Sequence, residues 1–225
     1  TGVWLECYCG GSFGRAFTET GWDAVVIRGA AQTPARLHLS RAGAEIVPAD
    51  DLWGREPAEV EEQLLAALQK RSAVLAIGVA GENLARMASV MHEEAHALGR
   101  GGMGAVFGSK KLKAVTVTSP GATRSEVGEE FATARRELAR AGAESPLVEG
   151  YRRYGTPAVA ALTNEYGAFP TDFFTRGTAP HRDTLEADRW RQWADYSSEG
   201  CPPCPIRCRH TLTLKDGPHA GRRIH

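Results

Sequence analysis

The spacing of apolar positions changes character near residue 119, and that change divides the chain in two. Before it, short β-branched runs at Ala24–Ile27, Arg36–Leu39, Glu45–Val47 and Val74–Val79 are bounded by Gly, Pro and Asp and predict strands. Arg41-Ala42-Gly43 predicts the turn of a hairpin joining the second and third. Val60, Leu64, Leu65 and Leu68 share one face of a helix predicted over Pro57–Lys70, with Pro57 suited to its first turn. Leu84, Met87, Met91 and Ala95 have helical spacing and predict a second helix over Asn83–Leu98. A glycine-rich stretch, 99–108, then leads into a strand at Lys113–Thr118.

After Ser119-Pro120-Gly121 the period becomes helical. Val127, Phe131, Ala134 and Leu138 form one apolar stripe. Thr156-Pro157 opens a further helix that Gly167 closes, and Asp183 or Thr184 starts another running through Trp190 and Trp193, whose rings are expected in a core. The pattern predicts an α+β chain: a mixed-sheet domain over 1–118, followed over 119–225 by a mainly helical region. No repeat of solenoid period occurs.

Composition narrows the classes of function. The 225 residues carry 27 basic and 27 acidic side chains, so no bulk attraction to nucleic acid or to an anionic membrane is expected. No apolar run approaches bilayer length and no leader-like segment is seen. Three of five cysteines are clustered, which suits metal binding in a reducing compartment, so a cytoplasmic location is expected.

That cluster is the strongest chemical signal. Cys201, Cys204 and Cys208 in CPPCPIRC have the spacing C-x2-C-x3-C, which lets one loop offer three thiolates to an iron–sulfur cube or to zinc. Thiolates are soft and exclude calcium and magnesium from this position. Prolines 202, 203 and 205 stiffen the loop. His210 completes a Cys3His set for zinc, although one residue between Cys208 and His210 is cramped for two ligands. Cys7 and Cys9 alternate in an extended segment and are expected to be small buried hydrophobes. His92 and His96 stand four apart on the helix predicted there, without forming H-E-x-x-H.

Gly99-Arg-Gly-Gly-Met-Gly104 matches G-x-G-x-x-G, but the dinucleotide fingerprint needs a strand before it and a helix after it, the reverse of the order predicted here. The segment then has two readings. Its glycines allow close approach of backbone N–H groups to a bulky anion, with Arg100, Lys110 and Lys111 adding positive charge, or it is a tight structural turn. A second such stretch, Gly10-Gly11-Ser12-Phe13-Gly14-Arg15, lies near the start.

Taken together, CGGSFGRAFTETGWDAVVIRGAA, IGVAGENLARMASVM, HALGRGGMGAVFGSKKLKAV, the YGTP and EYGAFPTDFF pair, and CPPCPIRC resemble the tungsten-containing aldehyde:ferredoxin oxidoreductase family, in order and over nearly the whole chain. The resemblance implies a tungsten (or molybdenum) bis-pterin cofactor on a base formed by the first domain, a [4Fe–4S] cluster nearby, and oxidation of a small aldehyde with electrons passed to ferredoxin. It places Tyr8, Cys9 and Gly10 at the family's first cofactor loop. His96 and Ala97, with Gly99, Arg100, Gly101 and Gly102, fall at the second, and Cys201, Cys204 and Cys208 at the cluster. A bridging magnesium and a homodimer lie within what it allows. No nucleic-acid or membrane partner is implied.

The sequence departs from the family at two points. Tyr8-Cys9 stands where Asn-Ser is frequent, and His96 where Arg is common; histidine cannot reproduce a bidentate phosphate contact. The resemblance puts the catalytic glutamate, the pocket histidine and the fourth cluster cysteine at or beyond His225. No catalytic residue is therefore expected here, and the chain is expected to be part of a longer oxidoreductase, inactive alone. Three alternatives remain: a reductase of aromatic thioesters within the same family, a zinc-stabilised, non-catalytic module using Cys201, Cys204, Cys208 and His210, and a degenerate, cofactor-free structural subunit.

Overall fold

A computed structural model gives the fold and describes residues 4–69, 71–121, 128–201 and 204–224. Packing divides the chain into two units, Thr1–Glu126 and Val127–His225.

The first unit is built on one mixed sheet of β1 (Ala35–Ser40), β2 (Gly43–Pro48), β3 (Ser72–Ala76), β4 (Val90–His92), β5 (His96–Leu98) and β6 (Leu112–Thr118), in the order β2-β1-β6-β3-β4-β5. β1 and β6 are parallel and every other pairing is antiparallel. The hairpin expected at Arg41-Ala42-Gly43 is present, with Ser40 opposite Gly43. Among the described residues four α-helices accompany the sheet: α1 (Phe13–Glu19), α2 (Pro57–Ala67), α3 (Val79–Glu82) and α4 (Met103–Ser109).

Two apolar layers lie on opposite faces. Ala16 of α1 and Phe107 of α4 pack with Ala73, Val90, Val115 and Val117 on one side. Val60 and Leu64 of α2 pack with Val74, Ala76 and Ala114 on the other. Neighbours in sequence go to opposite layers because strand side chains alternate. β6 is covered on both faces, and Leu112 to Val117 are all buried.

Lys113 is the exception in that apolar run. The register between β1 and β6 slips at Ala35/Arg36, so that Ala35 faces Leu112 while Arg36 faces Ala114, and Lys113 sits at the irregularity. Its side chain is fully buried and forms an ion pair with Glu82, while Nζ donates to the Arg55 carbonyl at 2.8 Å. Glu82 in turn accepts the Gly54 amide at 2.9 and 3.0 Å.

Several sequence expectations fail in this unit. Ala24–Ile27 lies outside every strand and Val26 is 77% exposed; β-branched residues make a strand only where a neighbouring strand takes their backbone groups. Val79 begins α3 instead of ending a strand, and Glu82-Asn83 closes that helix instead of opening one. The helix expected over Asn83–Leu98 is replaced by the hairpin β4–β5. Leu84, Glu93 and Glu94 have positive φ, which interrupts a helix, and Met91 pairs with Ala76 of β3. Sheet pairing overrides the helical spacing of Leu84, Met87 and Met91. α2 ends at Ala67, and Lys70, where the expected helix stopped, lies outside the described residues.

The second unit carries α5 (Glu129–Glu144), α6 (Pro146–Tyr154), α7 (Ala160–Glu165) and α8 (Ala187–Trp193), with an antiparallel sheet of β7 (Ala194–Glu199), β8 (Arg209–Leu214) and β9 (Arg223–Ile224). The helical character was expected; the sheet was not. Of the apolar stripe, Val127 lies outside the described residues, and Phe131 and Leu138 are 59% and 74% exposed. Trp193 is 44% exposed, and Trp190 is half-buried with its indole N–H donating to the Thr184 carbonyl at 3.0 Å, so neither ring forms a core. No helix among the described residues is long and apolar enough to cross a membrane.

Candidate functional site

The first unit brings together the two glycine-rich loops that the sequence singles out. Tyr8, Cys9 and Gly10 lie in an irregular segment that runs into α1; no ladder forms there, so the strand alternation expected for Cys7 and Cys9 does not exist. His96 and Ala97 belong to β5, and Gly99 to Gly102 link β5 to α4. The loops touch directly. The Arg100 amide donates to Cys7 Sγ at 3.3 Å, and the Leu5 side chain lies on Gly101, which has φ +71°. Cys7 is thus half-buried against the second loop, a role that its sequence position does not reveal. Tyr8 is 82% exposed, and its hydroxyl donates to Glu6 at 2.5 Å, which raises the phenol pKa and lowers that of the carboxyl.

Between the loops stands His92. The ring is 1% exposed. Its Nε2 accepts the backbone N–H groups of Ser12 and Phe13, each at 3.1 Å, and Nδ1 lies 2.8 Å from the Val74 carbonyl. Glu93 also accepts the Ser12 amide, at 3.3 Å. Burial opposes a charge on this imidazole, but hydrogen bonding to Glu61, the Glu93 carboxylate and the Val74 carbonyl outweigh it, so its pKa lies above the ordinary histidine value. His92 and His96 are not helix neighbours. They are cross-strand partners at the end of β4–β5, with ring centroids 6.2 Å apart.

The glycine stretch is set by internal packing to an extent that the sequence does not show. A β5 strand precedes it and α4 follows it, so the order argument against a dinucleotide site falls. The exclusion now rests on strand direction, because alternating antiparallel pairs set β5 against β6 and no parallel βαβ unit exists here. A Cβ at Gly102 would lie 2.3 Å from the Arg86 carbonyl oxygen, one at Gly104 2.6 Å from that of Ser89, and one at Gly108 1.9 Å from that of Gly81. These three glycines let α4 lie on the 81–89 segment. By contrast, Gly14 and Gly99 would accept a Cβ without collision, which leaves their outer faces open. Lys110 and Lys111 are engaged away from the glycines, with their Nζ atoms on the Gly29 and Gln32 carbonyls.

The three cysteines of the second unit lie on the connection 200–208 between β7 and β8, closed by the facing pair Glu199 and Arg209. None of the three is in a disulfide, and Cys204 and Cys208 are exposed. Pro202 and Pro203 lie outside the described residues; among the described residues no group of three His, Cys, Asp or Glu is gathered as a metal site. The donor chemistry suits iron, while the assembled geometry is not formed by these side chains alone. The Arg152 guanidinium donates to the Pro205 carbonyl at 3.1 Å, tying α6 to this loop. His210 turns away from the thiols: Nε2 lies 2.9 Å from the Arg152 carbonyl and the ring stacks on Tyr196 at 4.3 Å. In this arrangement a Cys3His zinc set lacks its histidine.

Comparison with known proteins places these features in context. Residues 1–119 match the family model for the aldehyde ferredoxin oxidoreductase N-terminal domain, and residues 133–224 match that for domains 2 and 3. A tungsten-containing aldehyde ferredoxin oxidoreductase of Pyrococcus abyssi is 34% identical over 212 residues, covering 92% of this chain and 35% of the relative. One of Thermococcus kodakarensis is 31% identical over 225 residues, covering 97% and 37%. The WOR-like subunit of an aliphatic sulfonate oxidoreductase from Pyrococcus furiosus is 28% identical, covering 92% of this chain and 35% of its own. Among solved structures, the active-site complex BamBC of benzoyl coenzyme A reductase has a similar fold, with TM-score 0.70 and 24% identity over 94% of this chain and 34% of that one. The chain spans little more than a third of the length of these relatives. Since two successive domain models of one family match in chain order across both units, the chain belongs to the aldehyde ferredoxin oxidoreductase family.

Proposed function

We propose that this chain supplies the pterin-holding base and three cluster ligands of an oxidoreductase that converts aldehydes to carboxylic acids and delivers electrons to ferredoxin. The observation that carries this reading is the junction of the two glycine-rich loops, Cys7 to Arg100 and Leu5 to Gly101, in a chain matched by both domain models. When bound, the tungsten (or molybdenum) bis-pterin and the [4Fe–4S] cluster supply the redox chemistry. The protein supplies position. Tyr8, Cys9, Gly10, His96, Ala97 and Gly99 to Gly102 would hold the pterin groups through backbone donors, with magnesium as a candidate bridge between its phosphates and the loops. Cys201, Cys204 and Cys208 would hold the cluster. The alternative that acts on aromatic thioesters shares this base and differs in substrate.

Metal analysis of the full-length protein, isolated without oxygen, tests the reading. About four irons per chain are expected with tungsten or molybdenum, and Cys204→Ser is expected to lose most of the iron and the cluster's paramagnetic signal on reduction. Full-length protein that contains neither iron nor tungsten nor molybdenum overturns it. Stoichiometric zinc in their place supports the non-catalytic module.

Gly14 offers a second check. It is exposed in the first turn of α1, and its added methyl meets nothing. Gly14→Ala is expected to stabilise the cofactor-free protein by about 0.5–1 kcal/mol in thermal unfolding, because alanine loses less backbone freedom in a helix. The same methyl stands on the loop's open face, so pterin content is expected to fall. Unchanged pterin content would remove that face from the binding surface.

A further inference from the structure

We propose that His92 is a positioning residue that locks the first glycine-rich loop onto the hairpin leading into the second, so that both face the pterin cofactor already in register. The role in cofactor binding rests on the function proposed above; the lock itself does not.

The argument begins with hydrogen-bond chemistry. Two backbone N–H groups, from Ser12 and Phe13, point at Nε2 at 3.1 Å. Both are donors, so Nε2 must present a lone pair, and the ring proton sits on Nδ1, where it donates to the Val74 carbonyl at 2.8 Å. At pH above the ring's raised pKa, one neutral imidazole therefore bridges β3 to the start of α1. Gly11 has φ +88°, and a Cβ there would lie 2.6 Å from His92 Cδ2, so the loop closes directly onto the ring. The Phe13 ring meets the imidazole edge-on at 6.1 Å.

The other half of the lock is register. His92 faces His96 across β4–β5, and the second loop departs from Leu98 at the end of β5. Fixing the backbone at residues 11–13 to His92 thereby fixes the first loop relative to the strand that launches the second. A buried imidazole with these bonds could serve stability alone, in which case its loss would lower the melting point without a local effect on the loop. The proposal requires the local effect.

The test uses full-length protein at alkaline pH with His92→Phe, which keeps the buried ring but removes both nitrogens, and His92→Gln, whose amide oxygen can still accept from Ser12 and Phe13. Amide hydrogen exchange is read in the cofactor-free form, and pterin and tungsten are counted per chain after cofactor loading. His92→Phe is expected to speed exchange at residues 11–13 about tenfold or more while β3 and β6 stay protected, and to lower pterin content several-fold. His92→Gln is expected to restore part of both. Wild-type exchange in His92→Phe, or faster exchange with unchanged pterin content, overturns the proposal. Should His92→Phe unfold as a whole, Gly11→Ala replaces it: the ring stays and the loop is pushed from it, and normal loading of that variant is likewise fatal. If wild-type protein takes up no pterin, the proposed function fails, and exchange at residues 11–13 alone decides whether the lock exists.

Discussion

Replacing Lys113 by Met is expected to lower the free energy of unfolding by about 3–5 kcal/mol, because it strands a buried carboxylate. The Glu82 side chain is only 4% exposed and would keep one partner, the Gly54 amide, in place of an ammonium group. The Arg55 carbonyl, which now accepts from Nζ at 2.8 Å, would lose its donor as well. Desolvation makes the charged pair itself worth little compared with apolar residues of equal volume, so the double variant Lys113→Met, Glu82→Leu is expected to recover most of the loss. Urea unfolding of the two variants gives the answer. A single variant within about 1 kcal/mol of the parent would mean that water reaches Glu82, contrary to the packing described.

Gly108→Ala is expected to destabilise by about 3 kcal/mol, the upper end for overpacking, since the obstacle is main chain and cannot rotate away. The new methyl would lie 1.9 Å from the Gly81 carbonyl oxygen and 2.8 Å from its carbon, so α4 must move off α3. Thermal unfolding of Gly108→Ala beside Gly14→Ala gives opposite signs for one chemical change, the first set by a collision and the second by backbone freedom. A shift in Gly108→Ala as small as that in Gly14→Ala would mean that the two segments are not in contact.

The residues differ in how much they disclose from sequence. Hairpin β1–β2 is legible because Arg41-Ala42-Gly43 separates two alternating runs, and α2 because its leucines repeat on one face behind Pro57. The 83–98 segment misleads because its methionines and leucine fall at helical spacing while the energy comes from strand pairing far away in sequence, at Ala76. Gly102, Gly104 and Gly108 look like a ligand loop, yet contacts with residues 81–89 account for them. Lys113 and His92 disclose little of their roles: each is polar, fully buried and satisfied by groups 18 to 80 residues distant. A lysine inside an otherwise apolar strand run was the one available hint. The cysteine spacing is legible as chemistry, whereas the sheet that flanks it, with strands as polar as Ala194–Glu199, is not.

The position of β6 in the first unit bears on how the chain comes off the ribosome. β6 is the last strand of that sheet to be synthesised, and it lies between β1 and β3. Until its final residues emerge, the nascent polypeptide holds two half-sheets, β2-β1 and β3-β4-β5, whose inner edges have no partner and whose apolar faces are open to other chains. Closure then joins β1 to β6 across a long stretch of sequence, a slow step by loop entropy. Chaperone demand during translation should therefore concentrate in the interval before Thr118 clears the exit tunnel, and fall once that last strand slots in.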